Sequence, residues 1–506
     1  MFEFILSILP IVVLLVSLLV IKLPAPKASA LAFSVTMAEF ILIFKPGLKG
    51  IGITMEKGLV MGVFMVLIAF GAMMLYNLVD AAGGFASINK FLSRLIEDRF
   101  VLFLMMCWTF SAFLQGIAGY GLPAVIAATV LIKSGYDATK SAAAALIGHS
   151  WAISFGTMGS SIYAIDLVTT PPLSEILGNM AKYGSLGMLC CGLGVCFVYG
   201  GFKYVIKGIR YIVPSWITMS LSLSVLASFE LVSVIGFVAG IIGVATMVLT
   251  YKMTSGQRSG HMDKADKKRL FDGVLPYVLV IFMSIGFAVI NPNIKLAFSF
   301  PGYETVLGDV VEAQEEYVVF NIFKYPFSII LIASIICMMY YKKNGILAAG
   351  NLETILKKTG KKIYATEIVL VLLFSTAQMM MDGGMIKTFS DGIVKVAGNI
   401  YPLMATLVGA TGTFITGSNT NSNVLFGSLQ ENAAVSLGLI PSFMCAAQSI
   451  SASVAGAISP TTTALTAAAA GKSGKENEVY RYTIVVTVFT AIVLGIMNMI
   501  INFLIA

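Results

Sequence analysis

The sequence predicts an all-α polytopic membrane protein, and three observations support that fold class. Hydrophobic residues make up 58% of the 506 residues and charged residues only 11%, against about 25% charged residues in a soluble domain. The apolar residues fall into runs of the length that crosses a bilayer as a helix. At about 20 residues per span plus short loops, the chain forms roughly 12–13 transmembrane helices. This composition excludes a soluble enzyme, a nucleic-acid binder and a disordered scaffold.

Hydropathy places the predicted spans in order along the chain. They lie near residues 4–21, 28–44, 58–79, 101–115, 141–165, 182–200, 214–230, 231–250, 274–291, 318–341, 364–381, 441–470 and 482–505. Acidic Glu3 precedes the first run and no small-residue cleavage site follows it, so this run is predicted to be a retained helix. Two further stretches, 116–132 and 401–430, are interrupted by Gly, Pro, Ser and Asn. We predict that both are broken or re-entrant segments.

Loop charges orient these spans. The segment 252–272 has six basic residues against three aspartates, and 342–362 has six against Glu353 alone, whereas 292–317 has one lysine against five acids. The positive-inside bias places the first two segments in the cytoplasm, the third outside, and both termini outside. The loop with Lys45, Lys49 and Lys57 then also falls outside, against the bias.

The chain repeats itself at a spacing of about 300 residues. Asp80 to Gly84 ends one span and Asp382 to Gly384 ends another, so 384 − 84 = 300. The broken segments and the small-residue helices that follow them recur at a similar spacing, and the two copies have opposite predicted orientation. Inverted repeats of this kind are typical of secondary transporters, whose substrate lies where interrupted helices of both halves meet. The predicted organisation is an N-terminal span (1–27), a first inverted repeat (28–200), linker helices and loops (201–317) and a second inverted repeat (318–506). Helix packing is the alternative explanation for glycine-rich segments.

Polar residues inside the two broken segments are the candidates for binding. Residues 417–423, GSNTNSN, place hydroxyl and amide groups in an apolar stretch, where an unpartnered polar group is costly unless it lines a cavity. Neutral donors and helix N-termini suit a small anion. Gly116 to Pro123 supplies the glycines for a tight turn and a proline for the first turn of the returning helix. An external loop and a purely structural turn are the respective alternatives. The candidate substrate-binding residues are Gln115, Gly119, Tyr120, Gly121, His149, Ser418, Asn419, Thr420, Asn421, Asn423 and Gln448.

Three titratable residues are candidates for proton coupling. His149 is the only histidine in a predicted span, and imidazole exchanges protons near neutral pH. Asp80 and Asp382 occupy equivalent ends of the two halves, where they can also simply face water. The six cysteines have no metal-ligand spacing, so neither a metal site nor a disulfide is expected. No nucleotide-binding motif, cofactor motif or metalloprotease motif occurs, which leaves no enzymatic activity to predict.

The broken segments carry a family resemblance. GTFITGSNTNSNVLFGSLQ (412–430), GIAGYGLPAVIAATVLIKSGY (116–136) and ALIGHSWAISFGTMG (145–159) resemble the lactate permease family, and the likeness extends over nearly the whole chain. The resemblance implies uptake of lactate, and often glycolate, in symport with protons across the bacterial inner membrane. The sequence departs from the family pattern at Tyr120, where Phe is familiar, at Leu122, where Thr is common, and at His149, where asparagine is found.

These observations predict a secondary active transporter that imports lactate or a similar small 2-hydroxy monocarboxylate by proton symport and alternating access. The carboxylate would lie between the two tips, with donors from Ser418, Asn419, Thr420 and Asn421 on one side and Tyr120 with the Gly119–Gly121 backbone on the other. A sodium-coupled transporter of another small organic anion and a non-coupled channel or sensor are the alternatives. The expected partners are the monocarboxylate, H⁺ or Na⁺ and the lipid bilayer, without cofactor or nucleic acid; the sequence leaves a homodimer open.

Overall fold

A computed structural model describes residues 2–119, 121–255, 263–347 and 351–505. The first half of the described chain comprises the helices α1 (Phe2–Leu19), α2 (Ala25–Glu39), α3 (Gly47–Ala81), α4 (Gly84–Leu95), α5 (Arg99–Leu104), α6 (Ser111–Ile117), α7 (Leu122–Lys133), α8 (Ala138–Ser150), α9 (Ser160–Asp166), α10 (Leu173–Gly200), α11 (Phe202–Ser228), α12 (Ile235–Ser255) and α13 (Lys264–Ile290). The second half comprises the strands β1 (Lys295–Phe300), β2 (Tyr303–Glu304), β3 (Val310–Val311) and β4 (Gln314–Asn321) and the helices α14 (Pro326–Lys343), α15 (Asn351–Asp382), α16 (Met385–Ala397), α17 (Tyr401–Thr416), α18 (Asn419–Leu437), α19 (Pro441–Ala455), α20 (Pro460–Ala469) and α21 (Glu476–Ile505).

Eleven helical segments among the described residues are long and apolar enough to cross a membrane. Two shorter apolar helices, Glu3–Leu19 and Leu122–Lys133, accompany them. A π-helical segment, Met105–Phe110, joins α5 to α6 without a break. Most of the apolar side chains between these helices are buried in two large clusters. The prediction of an all-α polytopic membrane protein is confirmed.

The same order of elements occurs twice. A long helix (α3, α15) ends at a glycine in the left-handed region, Gly83 (φ 71°) or Gly384 (φ 68°), and an amphipathic helix (α4, α16) follows. A pair of helices separated by a short break comes next, α6 with α7 and α17 with α18. Two shorter helices (α8 and α9, α19 and α20) and one long helix (α10, α21) complete each series. The boundaries of two inverted repeats stay a prediction, but the repeated order is what such repeats require.

The two equivalent long helices, α3 and α15, pack against each other antiparallel. Near the start of α3, Gly58 lies against Ser375, close to the end of α15. Near the end of α3, the Asn77 Nδ2 donates to Thr359 Oγ1 (2.9 Å), close to the start of α15. Small residues let the backbones approach, because a Cβ at Gly58 would lie only 2.5 Å from the Ser375 Cα. Equivalent helices with opposite direction agree with an inverted relation between the halves.

Both predicted helix breaks are present in the structure. The helix stops at Ile117 and resumes at Leu122, and it stops again at Thr416 and resumes at Asn419. Pro123 lies in the first turn of α7, as expected, and the Ser418 side chain caps α18 by accepting from the Asn421 backbone N–H. That these segments re-enter the membrane from one side stays a prediction.

Two predicted spans are wrong, because each is two helices. Residues 141–165 divide into α8 and α9 around a turn at 151–159, and residues 441–470 divide into α19 and α20 around a turn at 456–459. The first turn contains Gly156 and Gly159, and the second begins at Gly456 and is followed by Pro460 at the start of α20. Hydropathy could not detect these turns, since their residues are nearly as apolar as the flanking helices.

The predicted external segment 292–317 contains strands that the charge pattern did not predict. β1 pairs antiparallel with β4 from Lys295↔Asn321 to Phe300↔Gln314, and β2 pairs antiparallel with β3. Tyr303 on β2 and Tyr317 on β4 are directed toward the end of α15, where their hydroxyls reach Asp382 and Gln378 respectively. This pair of hairpins therefore covers one end of the α3–α15 helix pair.

Candidate functional site

A cavity of about 480 Å³ lies where the broken helices meet α2, α3 and α15. Its first wall consists of apolar and small residues with one cation: Ala25, Pro26, Met65, Ala69, Lys362, Ala365, Thr366, Val369 and Leu370. Its second wall comes from the broken segments of both halves: Gln115, Gly119, Gly121, Leu122, His149, Ile153, Thr157, Ser160, Ser161, Thr413, Thr416, Gly417, Ser418, Asn419, Thr420, Asn421, Gly456, Thr461, Thr462 and Leu465. The volume suits a small organic molecule and its water.

Two glycine–threonine contacts form the breaks on the second wall. A Cβ at Gly119 would overlap the Thr157 Oγ1, and a Cβ at Gly417 would overlap the Thr461 Oγ1. Gly417 also has φ 73°, a conformation that residues with a side chain rarely adopt. In each half, therefore, the tip of one broken helix pair is pressed against the turn of the next. Both contacts need glycine.

Three helices of at least ten residues begin at this wall. The first residues of α7 (Gly121, Leu122), of α18 (Ser418–Asn421) and of α20 (Thr461, Thr462) all line the cavity. The N–H groups of a first helical turn have no partner within the helix, and the helix dipole places partial positive charge there. Three such ends around one cavity create an environment that favours an anion.

Asn419 is fixed in orientation by its own hydrogen bonds. Its Nδ2 donates to the Ser154 Oγ (2.9 Å) and to the Ser449 carbonyl oxygen (3.1 Å). Because a carbonyl oxygen can only accept, the NH₂ group must face Ser449 and the Oδ1 must face the other way. The prediction that Asn419 donates to substrate is wrong for this structure, since its amide hydrogens are already in use.

Asn421 has a different environment. Its side-chain amide makes no hydrogen bond with any described residue, and its buried Oδ1 has no partner. The residue lines the cavity directly. Its NH₂ group therefore has no partner among the described residues, and donation from it to a bound molecule stays a prediction.

His149 lies on the cavity wall with only 1% of its surface exposed. Its Nδ1 is 2.8 Å from the Ala145 carbonyl oxygen, which fixes the Nδ1 as the protonated nitrogen. In the neutral ring the Nε2 is then an acceptor, and it becomes a donor only when the ring takes up a second proton. A neutral His149 in this geometry cannot donate to a carboxylate.

Lys362 is the cavity residue that sequence reasoning missed most clearly. It lies at the exposed mouth, where its Nζ is 5.0 Å from the centre of the Tyr76 ring. Its place at the end of a basic segment made it look like a loop residue, but α15 already begins at Asn351. The hydroxyls of Thr157, Thr461 and Thr462 were also missed. The runs GTMGSS (156–161) and SPTTT (459–463) mark them, since each follows a small-residue helix at equivalent places in the two halves.

Several predicted site residues do not reach the cavity. Asn423 is fully buried behind the wall, and its Nδ2 donates to the Ser161 carbonyl oxygen (2.8 Å) and the Ser449 Oγ (3.0 Å). Gln448 is also fully buried, and its Nε2 donates to the Ser422 Oγ (3.0 Å). Both side chains hold the polar segments in position. Tyr120 lies outside the described residues.

The two aspartates proposed for proton coupling lie away from the cavity and differ from each other. Asp80 is exposed and forms an ion pair with Lys358 (3.1 Å). Asp382 is buried against Lys57 (3.3 Å), with side chains 6% and 1% exposed. Asp382 also accepts from Thr54 (2.7 Å) and Gln378 (2.8 Å). The alternative that these helix-end aspartates simply face water fits Asp80 and does not fit Asp382.

The arrangement combines donors and partial positive charge that can bind and orient a small anion. Within the described ranges, no three His, Cys, Asp or Glu side chains are grouped so that they could hold a metal ion. Thr157 (φ 49°) and Met158 (φ 53°) take left-handed backbone conformations that are uncommon for residues with a side chain. Backbone strain of this kind concentrates at binding sites.

The fold and the cavity define a polytopic membrane protein with a cavity between its broken helices. The model of the L-lactate permease family matches residues 3–505, and the chain belongs to that family. It is 28% identical to the L-lactate permease of Streptococcus iniae over 465 residues, covering 88% of this chain and 94% of the relative. It is 22% identical to the L-lactate permease of Bacillus subtilis (strain 168), covering 97% and 94%.

A third relative is named differently. The chain is 25% identical to the glycolate permease of Escherichia coli (strain K12), and the match covers 97% of this chain and 94% of that relative. Among solved structures, the YdaH transporter of Alcanivorax borkumensis has a TM-score of 0.47 at 13% identity, covering 88% of this chain and 87% of that one. The family and the apolar helices together identify a multi-pass protein of the bacterial inner membrane.

Proposed function

We propose that this protein imports lactate, glycolate or a related small 2-hydroxy monocarboxylate by proton symport and alternating access. The observation that carries the proposal is the cavity wall where α7, α18 and α20 begin, with Lys362 at the mouth. A carboxylate has two acceptor oxygens and one negative charge, and this wall offers unpaired N–H groups, hydroxyls and partial positive charge. The names of the relatives, L-lactate permease and glycolate permease, support a substrate of this size and charge.

The carboxylate takes its hydrogen bonds from both halves of the chain. The Asn419 and Thr420 N–H groups of α18 and the Asn421 NH₂ group supply donors on one side. On the other side the Gly121 N–H supplies one, because the Leu122 N–H already donates to the Gly119 carbonyl oxygen (3.3 Å) and proline at position 123 has no N–H. Thr461 and Thr462 add the first turn of α20. Lys362 lies at the exposed entrance, where a positive charge draws anions toward the cavity.

Proton coupling in this proposal depends on His149. With its Nδ1–H held by the Ala145 carbonyl, a proton arriving at the Nε2 converts that atom from an acceptor into a charged donor on a residue that lines the cavity. A protonated His149 then attracts the carboxylate, and a bound carboxylate retains the proton. This mutual stabilisation is the reciprocity that symport requires.

Alternating access is supported by the unequal exposure of the cavity. The exposed residues of its α15 wall, Lys362 and Ala365, lie in the first half of that helix. Toward the other end of α15, Asp382 and Lys57 are buried beneath the strand segment. The predicted topology places the exposed end in the cytoplasm, so the cavity in this structure faces inward in the proposed cycle.

Uptake by purified protein in liposomes tests the proposal. We expect an inward proton gradient to concentrate lactate, and replacement of Na⁺ by K⁺ to leave that accumulation unchanged. His149→Asn should abolish accumulation while lactate exchange down its gradient continues. His261→Asn is the matched control, because it replaces the only other histidine in the sequence.

Each alternative has its own result in that assay. Accumulation driven by Na⁺ alone would establish the sodium-coupled alternative, and flux without accumulation would establish an uncoupled channel. Full accumulation by His149→Asn would move the proton site to another residue while leaving lactate transport intact. A homodimer is a separate prediction, which light scattering of the detergent-solubilised protein decides.

A further inference from the structure

A carboxyl group without a partner lies in the middle of α15. Glu367 is at the midpoint of the membrane span Leu352–Asp382, about 22 Å along the helix from either end. Both of its carboxyl oxygens are buried, and neither has a hydrogen-bond partner among the described residues. The residue is outside the set that lines the cavity, and the proposed function makes no use of it.

Glu367 lies on the side of α15 that packs against α3. Thr359 bonds to α3 and Val371 lies against it, and both belong with Glu367 to one row of residues four apart, which share a helix face. These contacts lie at either end of residues 63–76 of α3, so that stretch runs past Glu367. Its sequence, VFMVLIAFGAMMLY, contains no charged residue, and Tyr76 is its single titratable one. The carboxyl group is therefore opposite an apolar stretch.

The charged residues around this interface do not compensate Glu367. On α3 the flanking ones, Lys57 and Asp80, are already in ion pairs. On α15, Lys361 and Lys362 come nearest in sequence and are exposed. The other helices packed against α15 are α2, α16 and α18, and none of their charged residues bonds to Glu367. These residues are Lys27, Glu39, Lys387, Asp391, Lys395 and Glu431.

The cavity wall lies beside the same interface. Thr366 and Leu370 of α15 line the cavity, and so do Met65 and Ala69 from the stretch of α3 that runs past Glu367. A movement of α15 against α3 that exposes the cavity to the other side of the membrane therefore also changes the surroundings of Glu367.

An ionised carboxylate without a counter-ion is costly between apolar helices, so the packed interface favours the neutral, protonated form. When α15 moves away from α3, water reaches the carboxyl group, the O–H bond can break and the proton passes to that water. We infer that Glu367 is a second proton-binding site, outside the cavity and distinct from His149, and that it must hold its proton for α3 and α15 to pack together. The site itself does not depend on the proposed function, whereas its effect on lactate transport does.

Infrared spectra of the purified full-length protein test for the proton itself. A protonated carboxyl group has a C=O band at a frequency where carboxylates and amides do not absorb. We expect Glu367→Gln to weaken that band at neutral pH by the contribution of a single carboxyl group; Glu39, also buried without a partner, still contributes. Glu353→Gln is the matched control, because Glu353 is exposed on the same helix in an ion pair with Lys357, and it should leave the band unchanged.

Exchange of labelled lactate in liposomes, at the same pH on both sides, tests the effect on transport. Wild-type exchange should slow as the pH rises, because only protein with a neutral Glu367 can close the helix pair. Glu367→Gln has a neutral side chain of the same size. Between neutral pH and about two pH units higher, it should therefore retain about 5- to 100-fold more of its exchange rate than the wild type. His149 is present in both proteins, so the comparison isolates Glu367.

Each remaining outcome also decides. An infrared band that Glu367→Gln leaves at full strength would overturn the inference, as would the same pH dependence of exchange in variant and wild type. If Glu367→Gln does not fold, Glu367→Leu takes its place, since an apolar side chain suits this interface; failure of both to fold would show that the interface needs the ionised carboxylate. A wild type that exchanges no lactate would overturn the proposed function, while the infrared spectra would still decide the proton site.

Discussion

The buried ion pair between Lys57 and Asp382 predicts a large loss of stability when its cation is removed. Both side chains are almost inaccessible, and the Lys57 Nζ lies 3.3 Å from the Asp382 Oδ2. Taking one partner away from a buried pair leaves a charge without compensation and costs about 3–5 kcal/mol. Thr54 and Gln378 still donate to Asp382 in the variant. We therefore expect Lys57→Met to lower the free energy of unfolding by about 3 kcal/mol, at the lower end of that range.

The equivalent pair at the opposite end of the same two helices supplies the control. Lys358 and Asp80 are 54% and 44% exposed at a distance of 3.1 Å. Water already solvates both groups, and exposed pairs of this kind contribute about 0–1 kcal/mol. Lys358→Met should therefore leave stability almost unchanged, although it removes the same chemical group from the equivalent helix.

Denaturation of the purified protein in mixed detergent micelles, followed as loss of the folded fraction, measures both variants. The double variant Lys57→Asp with Asp382→Lys should recover much of the lost stability, because it restores opposite charges at the same site. Equal destabilisation by Lys57→Met and Lys358→Met would refute the reasoning, since burial would then not decide the contribution of the pair. A Lys57→Met variant within about 1 kcal/mol of the wild type would refute it as well.

Three further predictions concern topology, the cavity mouth and the second tip. Single cysteines within 304–316 should react with an impermeant maleimide added outside intact cells, whereas cysteines within 264–268 should not; the reverse pattern would invert the orientation. Lys362→Gln should raise the lactate KM several-fold and weaken its salt dependence with little change in kcat, because the lysine acts on approach; unchanged salt dependence would argue against that role. Gly417→Ala should lose most uptake, since Gly417 has φ 73° and its Cβ would meet the Thr461 hydroxyl; normal uptake would contradict that packing.

Local sequence signals predicted the fold class and the two helix breaks. Apolar runs, glycines and Pro123 are properties of short segments, and they determine where a helix can span or must stop. The polar run 417–423 likewise indicated polar residues at a helix break, and Ser418, Asn419, Thr420 and Asn421 line the cavity; that they bind substrate stays a prediction. The signals for the fold class and for the breaks come from the chain within a few residues of each position.

Partners that are distant in the chain were beyond such reasoning. Asn419 was expected to donate to substrate, but its donors are taken by Ser154, 265 residues away, and by Ser449. Asp382 was a proton-coupling candidate with exposure to water as the alternative, but Lys57 and the strand segment bury it in an ion pair. In both cases the sequence identified a polar residue of interest but not its hydrogen-bond partners, because those partners belong to helices that are distant in the chain.

The unequal burial of the two equivalent ion pairs has a physical cause outside the repeats. Near Asp382 the hydroxyls of Tyr303 and Tyr317, from the strand segment, close over the pair; Lys57 also stacks 5.4 Å from the Tyr317 ring. That segment belongs to the predicted linker, which occurs once in the chain. Two helices of equivalent position thus carry the same kind of charge pair at each end, and a single insertion buries one of them. Any movement that opens this end of α3 and α15 must move the strands or separate a buried charge pair, whereas the Lys358 end needs neither.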